Sequence, residues 1–575
     1  MTHIDAAKAW LAQDPDPVTR DELAPLIEGA ESGAATALAA LRDRFGSRLA
    51  FGTAGLRGEL GAGSNRMNRV LVAQAAAGFA RFLVARAGAS GATGADAAPR
   101  PSVVIGFDGR TNSEIFARDS AELMAGAGVR AILLPRMLPT PVLAFAVRHL
   151  GVSAGIMVTA SHNPPRDNGY KVYLGDEDGG SQIVSPADGE IHEAILAVAH
   201  TLSVQELPRS TDYEVAGDDV VDAYVAATAA VAARSGEPRI PVPFVYTAMH
   251  GVGWQTTQRV LEAAGLGEPT VVPEQVEPDT DFPTTPFPNP EEPGALDLAI
   301  ACASSCGAGL IIAHDPDADR LAVAVPTPEP HELATPDSAG WRRLSGNEVG
   351  ALLGWRAAER LARDGQEGAL AASLVSSPAL AAIARHYGLD YRDTLTGFKW
   401  ISRTPRLQYG FEEALGYLVN PETVRDKDGI SAMVEFLTLM GELAAAGRTL
   451  AEHQTDFDER FGAFASAQVS LRVTDVSRIG QIMTALREQA PAEIGGVRVS
   501  EVDDFSRGFG DYPPGDILRF WMHGGARVIV RPSGTEPKVK VYIDASSDSG
   551  SAAERRADAR AEVAALEAGM RELIA

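Results

Sequence analysis

The chain has 575 residues, more than one hydrophobic core can organise, so about three to five domains are expected. Hydrophobic residues at 45% and charged residues at 22% are ordinary for a globular chain, while a formal net charge of -25 argues against a nucleic-acid surface and against docking on anionic lipid. The opening MTHIDAAKAWLAQDPDP lacks the apolar core of a signal peptide, no apolar run of transmembrane length is read, and the two cysteines, Cys302 and Cys306, are spaced as thiols on one helix rather than as a zinc site; a reduced, cytoplasmic enzyme is expected.

An apolar, β-rich run feeding a polar loop and then a helical stretch recurs as SVVIGFDGR, AGIMVTASHN, PFVYTAMHG and AGLIIAHDPD. These are α/β units, in which ligands gather at the carboxyl ends of strands. The low-complexity patch from Ala85 to Pro101 reads as a surface loop between a helix and a strand. In VTASHNPP, residues 158–165, Pro164 and Pro165 are expected to hold an extended, rigid loop that presents Ser161 rather than packing it.

The next polar loop, HDPDADR, places Asp315, Asp317 and Asp319 at alternate positions after a buried strand, where extended backbone projects them to one side. Three close carboxylates repel one another unless a hard cation sits among them, and an oxygen-only set suits Mg²⁺ better than Zn²⁺. A calcium loop is excluded, because the places it needs for Gly and Glu hold Arg320 and Pro326. Further on, Ser345 and Glu348 form a capping box ahead of a helix. Glu412 and Glu413 in GFEEALGY are strong acceptors for sugar hydroxyls. Basic residues recur beside the polar loops, at Arg57, Arg110, Lys171, Lys399, Arg425 and Lys427, and are expected to focus a locally positive cleft for an anionic substrate.

Beyond roughly Leu450 the strands AQVSLRV, RVIVRPSGT and KVKVYIDA and a final helix from Ala552 indicate a separate α+β domain. In RPSGT, Gly534 lets the backbone turn into an anion nest, with Arg531, Ser533 and Thr535 adding donors.

The motifs TASHNPP, DPDADR, GFEEALGY and RPSGTEPK, in this order, resemble the α-D-phosphohexomutases, the phosphoglucomutase and phosphomannomutase superfamily, over roughly residues 50–545. FGTAGLRGELGAGSNRMN and TLTGFKWI look most like its phosphoglucomutase-2-like branch, which includes phosphopentomutase activity. The resemblance implies four domains around a deep cleft, three α/β and a fourth that binds phosphate, placed at residues 1–208, 209–326, 327–452 and 453–575. It implies a phosphoserine at Ser161, Mg²⁺ held by Asp315, Asp317, Asp319 and a phosphoserine oxygen, and Arg320 as a further catalytic residue.

Proton transfer falls to Lys171 or His162, and the sequence leaves both open. Arg57, Lys399, Glu412, Glu413 and Lys427 would bind the sugar phosphate; Arg531, Ser533, Gly534 and Thr535 would grip the phosphate that is not reacting. The implied reaction interconverts hexose 1- and 6-phosphates through a sugar 1,6-bisphosphate, with glucose 1,6-bisphosphate as activator; the pentose version is the alternative. A monomer or homodimer acting on a small sugar phosphate is expected. Ala414 departs from the serine that many members carry after the paired acids, which puts one sugar contact in doubt. A serine hydrolase would need G-x-S-x-G, which Ala160, His162 and Pro164 break. A metal-dependent phosphatase would have no use for a stored phosphoserine, and a carbohydrate-binding protein would keep the sugar acids without needing both Ser161 and the aspartate triplet.

Overall fold

The computed structural model describes residues 2–574 apart from 53–54, 90–99, 328–339, 474, 476, 511 and 534–537. The chain divides into two compact units, one made of Met1–Gly236, Pro241–Leu344 and Gly416–Thr438, the other of Glu237–Ile240, Ser345–Leu415 and Leu439–Ala575.

The first unit carries two sheets built on one plan. In the first, the central strands Ser102–Phe107 and Ala154–Val158 run parallel and are buried along their whole length, as strands covered on both faces must be. Arg130–Leu133 pairs parallel on one side, and Asp167–Leu174 and then Leu56–Glu59 add antiparallel on the other. Alanine-rich helix Arg69–Ala89 packs within this core, next to Ala187–Thr201. One stretch of it, Arg69–Gly88, is long and apolar enough to cross a membrane, which corrects the sequence reading; most of that stretch is buried inside the fold. The same helix absorbs Ala85–Ala89, so only the later part of the low-complexity patch can be loop, and residues 90–99 lie outside the described residues.

In the second sheet, Ile311–His314 and Val245–Thr247 are the parallel neighbours, flanked by Thr270–Val271 and by antiparallel Leu321–Pro326 and Trp341–Arg343. In both sheets, therefore, two adjacent parallel strands end side by side, and the loops leaving them carry TASHNPP with GFDGR, and DPDADR with MHGVG. Cys302 and Cys306 are free thiols on helix Asp297–Cys306.

The second unit has a parallel layer, Ala369–Ser373 between Asp390–Thr394 and Leu407–Glu412. Helix Gly346–Arg363 packs on it behind the Ser345–Glu348 capping box. An antiparallel sheet follows, in the order Ala463–Arg472, Lys538–Ser547, Arg527–Pro532, Leu518–Met522, Val497–Asp504, Glu493–Ile494, covered by the final helix Ala552–Ile574. A buried cluster of Leu374, Val375, Phe505, Ile517, Ile529 and Tyr542 joins the two layers. Tyr512 Oη donates to the Asp393 carbonyl at 3.0 Å beside it.

Candidate active site

Ser161 ends the short connection after Ala154–Val158, but neither its backbone nor its exposure matches the expected extended, presented serine. Its φ is 52°, left-handed backbone that costs a non-glycine residue about 1–2 kcal/mol, and it is 2% exposed. The turn swings Oγ inward, where it donates to Asp315 Oδ2 at 2.7 Å and lies 3.3 Å from His162 Nδ1. Arg57, on strand Leu56–Glu59, donates to Asn163 Oδ1 of the same loop at 3.2 Å.

The aspartates also sit in a turn rather than in extended backbone. Strand Ile311–His314 stops before them, Ala318 takes a φ of 54°, and the curl brings a ligand atom of each of Asp315, Asp317 and Asp319 within 4.8 Å of the others. Thr140 holds Asp317 twice, donating its N–H to the carbonyl at 2.9 Å and its hydroxyl to Oδ2 at 2.7 Å. Gly251, after the neighbouring strand, lies so close to Pro316 that no Cβ would fit, and Val252 N donates to the Pro316 carbonyl at 2.8 Å.

Burial, together with the charges of Asp317 and Asp319, pushes the Asp315 carboxyl well above the usual range. For Asp317, burial is outweighed by the charge and hydrogen bond of Lys171, which hold it low. Three buried carboxylates cannot all ionise without added positive charge. Asp317 Oδ1 and Asp319 Oδ1 are buried and accept no hydrogen bond among the described residues, so the set fits a hard divalent cation bound through oxygen.

Cationic side chains surround this cluster. Lys171 Nζ donates to Asp317 Oδ2 at 2.7 Å and Asp319 Oδ2 at 2.9 Å. Burial alone would weaken its ammonium, but the two carboxylates outweigh it and raise its pKa, so the group is charged. Lys427 lies 3.2 Å from Asp319 Oδ2 and 3.5 Å from Asp426 Oδ1, in the aspartate group. Arg320 Nε is 3.9 Å from Asp315 and 3.8 Å from Asp319. Burial, with the nearby Arg320 and Arg57, pushes the His162 imidazole well below its ordinary value, so it is neutral.

In the second unit, other sequence-predicted residues meet at the TLTGFKW turn. Glu412 Oε1 accepts from Gly397 N at 2.6 Å, Arg531 Nη1 donates to Thr396 Oγ1, and Lys399 lies 5.9 Å over the Trp400 ring. Glu413 instead accepts from Ser376 Oγ at 3.0 Å and Ser373 Oγ at 3.2 Å, and burial raises its pKa. Ser533 N donates to the Lys538 carbonyl at 2.8 Å, closing the hairpin, while Gly534 and Thr535 lie outside the described residues.

Four domain families match in sequence. Phosphoglucomutase/phosphomannomutase α/β/α domains I, II and III match residues 48–201, 222–328 and 345–460, and the C-terminal domain matches 484–563. A probable phosphomannomutase of Haemophilus influenzae is 55% identical over 480 residues, covering 83% of this chain and 93% of its own. The chain belongs to the phosphoglucomutase/phosphomannomutase family. Among other members, the Homo sapiens phosphopentomutase is 34% identical, covering 94% of this chain and 91% of its own.

A phosphoglucomutase/phosphomannomutase family protein of Burkholderia thailandensis shares the fold, with a TM-score of 0.65 at 21% identity, covering 90% of this chain and 95% of its own. This family member thus has the four-domain architecture that its motifs imply. The sequence motifs name neither Thr140 nor Gly251 as a site residue; Gly251 ends PFVYTAMHG, a strand exit with no role assigned. Arg110, expected among the cations beside the polar loops, is 4% exposed and donates to backbone carbonyls of the Ser161 loop.

Proposed function

We propose that this family member is a phosphosugar mutase, an isomerase that interconverts hexose 1-phosphate and hexose 6-phosphate through a phosphorylated Ser161. The observation that carries the reading is Ser161 Oγ, 2.7 Å from Asp315 in a buried triplet of carboxylates, two of whose oxygens accept no hydrogen bond among the described residues. Mg²⁺ held by Asp315, Asp317 and Asp319 would neutralise charge on the transferring phosphoryl group.

In the first half-reaction the bond between Ser161 Oγ and phosphorus breaks as a bond from the sugar hydroxyl oxygen to phosphorus forms. The hydroxyl proton leaves the sugar, and Oγ ends protonated. Neutral His162, with Nδ1 3.3 Å from Oγ, is in reach to pass that proton. Lys171 is a charged ammonium bonded to two carboxylates, which suits it to stabilising charge rather than accepting a proton. The second half-reaction reverses these roles on the bisphosphate and regenerates the phosphoserine. Glucose 1,6-bisphosphate would rephosphorylate any Ser161 that loses its group.

Glu412, with no side-chain hydroxyl partner among the described residues, is the better acceptor for a sugar hydroxyl; Glu413 braces the turn through its two serines. Arg531 and Ser533, with Gly534 and Thr535, would hold the phosphate that stays. An acidic chain with two free thiols suits a reducing, cytoplasmic setting.

Pentose 1-phosphate is the second reading, favoured by the 34% identical phosphopentomutases. Ranking kcat/KM for the 1-phosphates of glucose, mannose, glucosamine and ribose tests the assignment. A hexose should lead; a leading ribose 1-phosphate would transfer the protein to the pentose branch, and release of inorganic phosphate without isomerisation would refute a mutase.

A further inference from the structure

Ser161 is both left-handed and buried; locally, its N–H donates to Thr159 Oγ1 at 2.8 Å and Asn163 N donates across it to the Ala160 carbonyl at 3.1 Å. Pro164 and Pro165 come later and restrain only themselves and the residue before each. A second restraint comes from beside the adjacent parallel strand. Arg110, just beyond Ser102–Phe107, sends its guanidinium across to four carbonyls of the carrier loop. Nη2 donates to Ser161 and, at 2.6 Å, to Asn163; Nη1 donates to Pro164 at 2.9 Å and to Asp167 at 3.1 Å.

The fork is itself fixed. Nε lies 3.5 Å from Asp108 Oδ2, the Arg110 backbone N–H donates to Asp108 Oδ1 at 3.1 Å, and the Phe282 ring lies 5.0 Å from the guanidinium carbon. Asp108 also reaches the loop by a second route: Thr159 Oγ1 donates to its Oδ2 at 2.6 Å and accepts from Ser161 N at 2.8 Å. None of the Arg110 hydrogen bonds goes to Ser161 Oγ or to the aspartate triplet.

We propose that Arg110, locked by Asp108 and Phe282, is a positioning residue that fixes Ser161 in the left-handed conformation aiming Oγ at Asp315. The proposal rests on the mutase reading of Ser161. Arginine is needed because a planar fork can serve four carbonyls at once, whereas a lysine ammonium is a compact charge with three donors. If Arg110 only supplied positive charge for phosphate, lysine would replace it.

The test compares wild type with Arg110→Lys and Arg110→Ala, measuring kcat, KM, thermal unfolding and, by mass spectrometry, phosphate on Ser161. Arg110→Lys should fold and lose about 100-fold in kcat, the scale of a displacement of about 1 Å, with KM within about twofold of wild type. Arg110→Ala should lose at least as much, and guanidinium chloride at non-denaturing concentration should restore part of its kcat where equimolar urea does not.

A kcat for Arg110→Lys equal to wild type would overturn the proposal, as would a loss appearing wholly in KM. Should Arg110→Ala fail to fold, Arg110→Lys decides alone. Wild-type protein that turns over with no phosphate on Ser161 would instead refute the mutase reading, so the two failures are distinguishable.

Discussion

Gly251→Ala tests how the aspartate loop acquires its shape. A Cβ at residue 251 would stand 2.2 Å from Pro316 Cα and 2.3 Å from the Pro316 carbonyl oxygen. Ordinary carbon contacts lie at about 3.5–4 Å, so the Pro316 backbone must retreat by more than about 1 Å. Pro316 stands between Asp315 and Asp317, and its carbonyl accepts from Val252 N at 2.8 Å, so the retreat carries both carboxylates and strains that bond. Misplacing a reacting constellation by about 1 Å costs about 100-fold, and overpacking a buried site costs about 1–3 kcal/mol of stability.

The assay is kcat at saturating sugar 1-phosphate across a Mg²⁺ titration, with thermal unfolding alongside. The variant should melt earlier, turn over about 100-fold more slowly and need more Mg²⁺ for half-maximal rate. Wild-type kcat and an unshifted Mg²⁺ midpoint would refute the idea that this contact shapes the loop.

Asp317→Asn keeps size and removes charge from a ligand atom, so activity should fall by about 100-fold or more and Mg²⁺ dependence should weaken; wild-type activity surviving exhaustive chelation would contradict the metal role. His453 is stacked on Trp355 at 4.4 Å, and burial, with Arg356 and Arg448 nearby, lowers its pKa to about 4. The folded state thus binds a proton less readily than the unfolded chain, so its contribution is full above the unfolded pKa of about 6.5 and is lost as pH falls towards 4, about 3 kcal/mol in all. His453→Phe keeps an aromatic ring and should flatten the fall in urea midpoint between pH 7 and pH 5; an unchanged slope would assign the acid sensitivity elsewhere.

The motifs, their order and the α/β character of their surroundings were legible because each strand exit is a short apolar run followed by chemically distinctive residues. So were the strands and final helix of the last domain and the Ser345–Glu348 cap, where local pattern and local structure coincide. What escaped was left-handed backbone within the loops and whatever a second segment imposes. Spacing alone placed Asp315, Asp317 and Asp319 on one side of an extended strand, whereas a left-handed Ala318 curls them together. Prolines suggested a presented Ser161, whereas Arg110, 51 residues earlier, turns it inward. Lys427 stood beside sugar-binding candidates in sequence but is drawn to Asp319, more than a hundred residues away, because a buried carboxylate cluster gathers the available cations. Glu412 and Glu413 are adjacent, yet their partners differ, and only coordinates separate them.

The phosphoenzyme is tested most directly by intact-mass and peptide-mapping measurements on the purified chain, before and after phosphatase treatment. Untreated protein should carry a fraction about 80 Da heavier, the phosphate should map to Ser161, and its removal should silence the enzyme until glucose 1,6-bisphosphate is added. Full activity after verified removal of that phosphate, with no bisphosphate present, would contradict transfer through Ser161.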